Sequence, residues 1–327
     1  MTHSVARSKR ASALPERHTD GHGKVDSMTQ QNALVTGAFS RRMYLRLEDR
    51  SEVVARIKGK KVRPVCGDWV TAEPIPNEPD WLITNIKPRK NELTRPDNRG
   101  RKEVLAANIS CVVAMAAVAP KPDWFVVDRY LAAAENMGAD AVVVFNKTDL
   151  AHLPSVADTQ LADYERSGYA VLRCSAESGA NLDRLAAMLA TQTAIIVGQS
   201  GVGKSSVINY LAVDSEQRTA AISGSSGEGR HTTVNSVMLE LPGGGAVIDS
   251  PGVRDYAPAI DTAAEVIKGF REINEAGQNC RFANCVHLRE PDCAVKLAVE
   301  EGNISARRYE SFKRLMNLSR DLANRRS

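Results

Sequence analysis

The sequence lacks any apolar run near the roughly 20 residues that a membrane-spanning helix requires. Its first residues are basic and carry no apolar stretch of the kind found in a secretory signal. Six cysteines among 327 residues do not resemble a disulfide framework, because three of them cluster within 14 residues. There is no internal repeat and no low-complexity segment. These absences argue against a membrane or secreted protein, and we expect a cytoplasmic chain with no membrane partner.

The composition that is present, 43% apolar and 25% charged residues, excludes a wholly disordered or fibrous chain. At roughly 150 residues per domain, the length suits two or three domains. The net charge of +4 is unevenly spread: residues 41–102 hold 16 Lys and Arg against 9 Asp and Glu, and residues 305–327 hold 7 against 2. Two basic regions around an acidic middle suggest contact with a polyanion at both ends, the alternative being ordinary solvated faces.

The apolar pattern divides the chain into four parts. Residues 1–32 have almost no apolar periodicity and predict a disordered tail. Residues 33–98 alternate short apolar stretches with turns, which predicts an RNA-binding β-barrel of the oligonucleotide-binding (OB) type, although an SH3-like barrel has the same pattern. Residues 99–258 alternate strands and helices, typical of an α/β domain with a parallel sheet. Residues 259–327 predict a mainly helical domain that ends in a basic helix.

A phosphate-binding motif lies in the α/β region. The pattern G-x-x-x-x-G-K-S follows an apolar strand and precedes a helical stretch, which is the context of a P-loop rather than of a packing turn. In such a loop backbone N–H groups converge on phosphate, Lys204 reaches the outer phosphates and the Ser205 hydroxyl holds Mg²⁺. The predicted phosphate-site residues are Gly198, Gln199, Ser200, Gly201, Val202, Gly203, Lys204, Ser205 and Ser206.

A second motif, D-S-P-G over Asp249 to Gly252, follows the apolar strand at 245–248. Taken alone, D-x-P-G is a common turn. Here a P-loop lies about 45 residues upstream, so a carboxylate at a strand end predicts that Asp249 helps to bind Mg²⁺ and that Gly252 belongs to a phosphate-sensing loop.

The base is predicted to be guanine. A further strand ends in N-K-T-D, and a carboxylate can accept two hydrogen bonds from N1–H and the exocyclic amine of guanine, a pair of donors that adenine lacks. The first side chain of the motif can bridge neighbouring loops, and the lysine stem can cover the ring. The next strand end carries Ser-Ala, which fits a loop whose backbone N–H contacts the guanine carbonyl. The predicted base-site residues are Asn146, Lys147, Thr148, Asp149, Ser175 and Ala176.

The order of these motifs is unusual. Ras-like GTPases begin with the P-loop and end with N-K-x-D and S-A, whereas here the order is N-K-T-D, S-A, P-loop, G-R-H-T-T and D-S-P-G. This order predicts a circularly permuted GTPase domain, whose sheet can persist because permutation only moves the termini. The segment after Gly252, which is expected to sense the nucleotide, then leads directly into the C-terminal domain.

A metal site is predicted near the C-terminus. The spacing C-x4-C-x-H-x5-C places four ligands within 14 residues, which suits a closed, structural tetrahedral Zn²⁺ site. The alternative is a set of buried free thiols with a surface histidine. The predicted ligands are Cys280, Cys285, His287 and Cys293, whereas Cys66, Cys111 and Cys174 lie in strand-like sequence and are expected in the core.

Several features of the sequence point to one family. They are the permuted order, the N-terminal β-domain and the sequences G-Q-S-G-V-G-K-S-S, G-R-H-T-T, D-S-P-G-V-R, C-R-F-A-N-C-V-H and E-P-D-C-A-V. With these features the chain resembles the ribosome small subunit-dependent GTPase family (RsgA/YjeQ) over residues 35–320. The resemblance implies a GTPase that binds the small ribosomal subunit and its rRNA late in assembly, hydrolyses GTP to GDP when stimulated there, and leaves. It also implies a monomer on its target, and no long apolar heptad requires a dimer.

Catalysis departs from the Ras pattern. Ras-like enzymes orient the attacking water with a Gln after D-x-x-G, but Val253 occupies that position and has no polar group, so slow intrinsic hydrolysis is expected. His231 is the nearest candidate to position or deprotonate water, the alternative being an ordinary loop residue. Thr232 or Thr233 is expected to complete the Mg²⁺ shell, and the sequence does not choose between them.

Two rival functions share these motifs. A nucleotide-gated RNA-binding or assembly module, in which hydrolysis is incidental, has the same binding residues. An ATPase with a P-loop and a zinc module is disfavoured by the N-K-T-D motif.

Overall fold

The structure, a computed structural model, describes residues 30–39, 42–59, 63–97, 101–150, 156–212, 236–250 and 260–324. Its strands are β1 (Gln31–Ala38), β2 (Met43–Leu47), β3 (Glu52–Ile57), β4 (Trp69–Pro74), β5 (Trp81–Ile86), β6 (Glu92–Pro96), β7 (Lys102–Ala107), β8 (Cys111–Ala117), β9 (Asp140–Asn146), β10 (Ala170–Arg173), β11 (Thr193–Gly198), β12 (Ser236–Glu240) and β13 (Ala246–Asp249). Its helices are α1 (Trp124–Met137), α2 (Val156–Arg166), α3 (Leu182–Leu189), α4 (Lys204–Leu211), α5 (Ala263–Lys268), α6 (Arg271–Gly277), α7 (Ala294–Glu300) and α8 (Ala306–Asn324).

Strands β1 to β5 form a closed barrel. In β2 the alternate residues Met43, Leu45 and Leu47 are buried, which is the period-two pattern of a strand with one covered face. The strands lie in the order β1-β2-β3-β5-β4, and pairing of β4 with β1 closes the ring. A closed barrel of five strands, with β3 parallel to β5, confirms the predicted OB-like barrel.

The α/β region is built on a sheet in the order β10-β9-β8-β11-β13-β12. All neighbours are parallel except β12, which is antiparallel to β13. All seven residues of β8 are buried, as expected for a strand covered by helices on both faces. One apolar cluster packs under α1 and α2, and a second packs under α3 and α4. The predicted alternation of strands and helices around a parallel sheet is therefore confirmed.

Helix α1 has clear start and stop signals. The Asp123 side chain accepts hydrogen bonds from the backbone N–H groups of Phe125 and Val126, so two otherwise unpaired donors of the first turn are satisfied. The helix ends at Gly138, whose φ of 66° is a left-handed conformation that glycine adopts without a steric cost. α1 thus spans from the carboxyl edge of β8 to the start of β9.

The barrel and the α/β sheet are joined edge to edge. Gly37 and Ala38 of β1 pair with Val237 and Ser236 of β12, so that one sheet continues from the barrel into the α/β region. The hairpin β6–β7 lies beside this join, and it crosses the expected domain boundary at residues 98–99. Its two strands therefore lie on either side of that boundary.

The C-terminal residues are helical, as predicted for a mainly α domain. Helices α5, α6 and α8 share an apolar cluster with two of the predicted metal ligands, Cys285 and Cys293. The same cluster includes Phe125 and Ala132 of α1, so the C-terminal helices pack directly on the α/β region. Among the described helices, none combines the length and apolar character needed to cross a bilayer.

Candidate nucleotide-binding site and metal centre

The predicted nucleotide motifs meet at one edge of the sheet. β9 ends at Asn146, β11 at Gly198 and β13 at Asp249. Since these strands and β10 are parallel, their carboxyl ends point to the same side, which is where ligands bind in open α/β sheets. The loops that follow the four strands therefore form one candidate site.

Two glycines of the P-loop are required by their surroundings. Gly198 has φ of 147°, and a Cβ there would lie 2.3 Å from the Met115 carbonyl oxygen. Gly203 has φ of 94°, and a Cβ there would lie 2.4 Å from Asn146 Nδ2. At both positions a side chain would clash with its neighbour and would need a backbone conformation unfavourable to L-residues. The loop closes tightly only because these residues have no side chain.

Lys204 begins α4 and is buried inside the loop. Its Nζ donates to the Gly198 and Gln199 carbonyl oxygens, at 2.7 and 2.8 Å. Buried Val202 anchors the other side of the loop, while Ser200 and Gly201 are exposed at its tip. The loop leads into the N-terminus of α4, where unpaired N–H groups and the helix dipole favour an anion.

Oxygen ligands of the type that Mg²⁺ prefers lie at this edge. Ser205 and Ser206 are exposed in the first turn of α4, and Asp249 ends β13, the strand beside β11. A hydroxyl and a carboxylate at neighbouring strand ends match the few protein ligands that a phosphate-bound Mg²⁺ takes. The residues present therefore fit this ion.

Asn146 connects three loops. Its side chain is 1% exposed; its Nδ2 donates to the Val202 carbonyl oxygen at 2.9 Å, and its Oδ1 accepts from the Ala176 N–H at 3.0 Å. Both ends of the amide are thus satisfied, one by the P-loop and the other by the Ser175–Ala176 loop. This is the bridging geometry that the N-K-T-D motif predicts for its first residue.

The other residues of this motif also contact the expected loops. Lys147 has φ of 61°, and its Nζ donates to the Gly201 carbonyl oxygen at 2.8 Å. The Thr148 hydroxyl donates to the Cys174 carbonyl oxygen, and the Ser175 hydroxyl donates to the exposed Asp149 carboxylate. The structure therefore places all six predicted base-site residues in one cluster beside the P-loop.

Four predicted catalytic residues, His231, Thr232, Thr233 and Gly252, lie outside the described residues, as does Val253. The described ends of their segments are nonetheless joined. Ser236 and Ser250 are buried, and their hydroxyl groups are 2.8 Å apart. The start of β12 and the end of β13 are therefore held together at the edge of the site.

One contact of the P-loop was not predicted from the sequence. The backbone N–H of Asp123 donates to Gln199 Oε1 at 3.2 Å, so the start of α1 contacts the loop directly. Local sequence patterns say nothing about contacts between segments this far apart in the chain. Tyr210 of α4 makes a second contact that was not predicted from the sequence. Its ring packs on Gly179 and its hydroxyl donates to Asp183, so α4 contacts the start of α3.

The four predicted metal ligands converge, with all ligand atoms within 4.8 Å of one another. Cys280 Sγ lies 3.8 Å from Cys293 Sγ and 3.4 Å from His287 Nδ1, and Cys293 Sγ lies 3.6 Å from the same nitrogen. Tetrahedral zinc, with bonds of about 2.3 Å to sulfur and about 2.0 Å to nitrogen, requires S···S edges of about 3.8 Å and S···N edges of about 3.5 Å. The three edges among Cys280, His287 and Cys293 therefore fit a tetrahedral metal of this size, and Cys285 Sγ lies within 4.8 Å of each of these ligand atoms.

Surrounding residues hold the ligand loop in place. The Tyr309 hydroxyl donates to the His287 carbonyl oxygen at 2.7 Å. Gly277 leaves room for the imidazole, since a Cβ there would lie 2.9 Å from His287 Nε2. Burial raises the pKa of Glu290, but hydrogen bonds from the backbone N–H groups of Glu290, Val286, Leu288 and Arg289 outweigh burial and lower this pKa to about 2. The charged carboxylate therefore closes the turn between the second and fourth ligands.

Backbone N–H groups around the Cys280 sulfur favour its charged form. Burial raises its pKa, but backbone N–H groups of Ala294 and Val295 donate to the sulfur, and the pKa falls below its usual value. The other cysteines, Cys66, Cys111 and Cys174, are buried away from this centre, as predicted for core residues.

Known proteins are similar to this chain in sequence and in architecture. Residues 86–258 match the RsgA GTPase family. The small ribosomal subunit biogenesis GTPase RsgA of Azotobacter vinelandii is 36% identical over 316 residues, which cover 95% of this chain and 92% of that protein. The protein of the same name from Haemophilus influenzae is 40% identical over 237 residues, covering 72% of this chain and 68% of the relative.

Two solved structures have the same fold. YjeQ from Thermotoga maritima matches with a TM-score of 0.71 and 26% identity, covering 89% of this chain and 99% of that one. YloQ, described as a circularly permuted GTPase, matches with a TM-score of 0.69 and 25% identity, covering 94% and 98%. The permuted motif order agrees with the description of YloQ, and the family match and the identity to the relatives show that the chain belongs to the RsgA GTPase family.

Proposed function

We propose that this chain binds GTP at the loops that follow β9, β10, β11 and β13, and hydrolyses it during biogenesis of the small ribosomal subunit. The observation that carries the proposal is the Asn146 amide, which joins the P-loop to the Ser175–Ala176 loop by two hydrogen bonds. A nucleotide needs its phosphate and base loops at a fixed separation, and this bridge sets that separation.

Guanine selectivity is assigned to Asp149. Its exposed carboxylate is held by the Ser175 hydroxyl and has acceptor capacity for the N1–H and amine donors of guanine. The Lys147 stem is proposed to cover the ring. Because Asn146 already accepts from the Ala176 N–H, recognition of the guanine carbonyl requires sharing that N–H or using that of Glu177.

Hydrolysis is assigned to residues around the outer phosphates. Lys204 is proposed to exchange its carbonyl contacts for phosphate oxygens, with Gly198–Ser206 supplying backbone N–H groups. Bound Mg²⁺ neutralises charge on the phosphate oxygens, and Ser205, Asp249 and either Thr232 or Thr233 are its proposed ligands. His231 is proposed to orient or deprotonate water, with Gly252 in the segment that senses the outer phosphate.

The partner is proposed from the relatives, which are named for small ribosomal subunit biogenesis. The basic barrel and the basic C-terminal helix are proposed to bind rRNA phosphates, and hydrolysis to GDP to release the chain. We place the protein in the cytoplasm as a monomer. We also propose the division into tail, barrel, GTPase and metal domains at residues 1–32, 33–98, 99–258 and 259–327.

The metal held by Cys280, Cys285, His287 and Cys293 is proposed to be one structural Zn²⁺. Four protein ligands complete a tetrahedron, so no position remains for a reactive water. Its role is then to fix the loop on which the C-terminal helices pack.

The decisive experiment measures GTP turnover with and without purified small subunits, against ATP as the competing nucleotide. We expect a slow intrinsic rate, strong stimulation by the subunit and no competition from ATP. Equal rates with and without subunits would reject stimulation, and effective competition by ATP would reject the guanine site.

The role of His231 needs a separate variant. His231→Ala is expected to lower the stimulated rate while GTP affinity is nearly unchanged, and an unchanged rate would remove His231 from the mechanism. Trapping on subunits by a non-hydrolysable GTP analogue tests release. If the chain stays bound to subunits equally long with the analogue and with GTP, hydrolysis is incidental and the chain is a nucleotide-gated binding module.

A further inference from the structure

The barrel carries one large aromatic side chain on its outer surface. Trp69 begins β4 and is 46% exposed, whereas Val70 and Ala72, on the inner face of the same strand, are fully buried. Within the described chain, no aromatic ring or guanidinium packs on Trp69. Exposing an indole to water is unfavourable, so the structure of the barrel alone does not explain a tryptophan at this position.

The register of the sheet surrounds this ring with polar groups. Thr71 pairs with Asn85 across β4 and β5, and the Trp69 carbonyl oxygen accepts from the Lys87 N–H at 2.8 Å. Residues directly opposite in an antiparallel pair project from the same face. Asn85 is exposed, and Lys87 forms no ion pair with any described carboxylate. The outer surface therefore combines one stacking face, one cation and amide groups.

This combination fits RNA better than a protein partner. A protein-binding patch needs contiguous apolar area, but the neighbours of Trp69 on its own strand and on β5 are Thr71, Asn85 and Lys87. On β1, Leu34 lies opposite Trp69, but it is partly buried against the apolar cluster of the α/β region and does not extend an open apolar patch. Base stacking on an aromatic ring needs only one open face and is tolerant of sequence. The excess of 16 basic over 9 acidic residues across 41–102 gives the barrel the charge that a polyanion requires.

We propose that Trp69 stacks on an unpaired base of ribosomal RNA, with Lys87 contacting an adjacent phosphate. This inference rests on the proposed binding of rRNA and assigns the surface that performs it. The barrel is closed, so the backbone that carries Trp69 and Lys87 is fixed before RNA binds.

The test compares variants of the full chain for binding to a protein-free transcript of small-subunit rRNA and to intact small subunits. Trp69→Ala is expected to weaken both about tenfold, within the range measured for base stacking. Trp69→Phe keeps an aromatic face and should retain most of the affinity. Lys87→Gln should lower the slope of log affinity against log salt by about one. Leu297→Ala, which removes another exposed apolar side chain, is the matched control and should change nothing.

Tryptophan fluorescence gives a direct readout. Stacking quenches an indole, so RNA should quench the wild-type emission, and most of that quenching should vanish in Trp69→Phe although binding persists. Melting temperatures check that the variants fold.

The outcomes are separable. If the wild type binds the transcript and Trp69→Ala binds it equally well, this surface is wrong while rRNA binding stands. If Trp69→Ala weakens binding to intact subunits but not to the transcript, Trp69 contacts a ribosomal protein, and the proposal is overturned. No wild-type binding to the transcript would refute both the surface and the proposed binding of rRNA.

Discussion

Replacing Arg308 with methionine tests what attaches the C-terminal helices to the GTPase core. Arg308 lies in α8, is 1% exposed, and donates to Asp128 of α1 at 2.8 Å and to both carboxylate oxygens of Glu272 in α6. Its guanidinium also packs over Phe270 at 5.0 Å and Tyr164 at 5.3 Å. Burial lowers its pKa, but the two carboxylates raise it well above the usual value, so the group stays charged.

The magnitude follows from what the substitution leaves behind. Removing one partner of a buried ion pair costs about 3–5 kcal/mol, because the remaining charge is buried without compensation. After Arg308→Met, fully buried Asp128 still accepts from Arg307 and from the Tyr164 hydroxyl, and Glu272 keeps some contact with water. We therefore expect Arg308→Met to lower the free energy of unfolding by about 3 kcal/mol, the lower end of this range. Asp128→Asn removes the carboxylate charge that pairs with Arg307 and one of the two that pair with Arg308, so it should cost more, and the double variant should cost less than the two single losses combined.

The matched control is Arg281→Met. Arg281 pairs with Asp292 at the same 2.8 Å, but its side chain is 69% exposed, and exposed pairs contribute about 0–1 kcal/mol. Several domains are present, so one unfolding midpoint is not a clean measure. Amide exchange of α8 reports the local opening free energy instead. Equal protection of α8 in both variants would refute the reasoning.

Three further outcomes can be checked directly. Gly203→Ala should abolish GTP binding in a titration calorimetry experiment, because a Cβ there meets Asn146 at 2.4 Å, while the α/β sheet persists by circular dichroism. Cys293→Ala should lower bound zinc below one per chain by elemental analysis and reduce protection of α7 and α8. Tyr309→Phe should keep the metal but cost about 1–3 kcal/mol of local stability, since it leaves the buried His287 carbonyl unpaired; unchanged amide exchange around α8 would contradict this.

Much of the fold could be predicted because periodicity marks buried strands and amphipathic helices. The alternation of strands and helices expected over residues 99–258 is found there, with helix α1 at Trp124–Met137. Strand β1 was partly missed, since it starts at Gln31, inside the expected tail, with Gln31 and Asn32 exposed. β12 was missed as well. It pairs with β13 and β1, and strands at a join between two sheets gain their stability from partners that are distant in sequence.

More of the candidate site than of the fold could be predicted from the sequence. Phosphate, base and metal motifs are short because each performs its chemistry with adjacent residues, so spacing alone identifies them. Contacts between motifs are different. That Asn146 contacts Val202, or that Asp123 contacts Gln199, depends on which strand ends are neighbours in the sheet. Sequence order conceals those neighbours, most of all in a permuted chain.

The two flanking units are attached to the core in different ways. The C-terminal helices are held by an apolar cluster and by the buried Arg308 group. The barrel is held by two residue pairs between β1 and β12, by the ion pair of Arg46 with Glu240, and by hydrogen bonds from Ala107 and Asn108. Leu34 and Cys66 add apolar contacts with the cluster under α1 and α2, but among the described residues no fully buried ion pair joins the barrel to the core. A neutral hydrogen bond contributes about 0.5–1.5 kcal/mol, well below the cost of breaking a buried ion pair.

This difference predicts which unit responds to the nucleotide. Ser236 pairs with the barrel residue Ala38 and lies three positions after Thr233 in the sequence. Its hydroxyl contacts that of Ser250, the residue after Asp249. We therefore expect a change at the outer phosphates to reach the barrel through β12, and we expect the C-terminal helices to move together with α1. Fluorescence energy transfer between labels at Glu48 and Glu135 should change between GDP and a GTP analogue, while transfer between Glu135 and Asp321 should not. The opposite pattern would mean that the buried Arg308 group does not fix the C-terminal helices, and that the weaker join at β12 does not transmit the change.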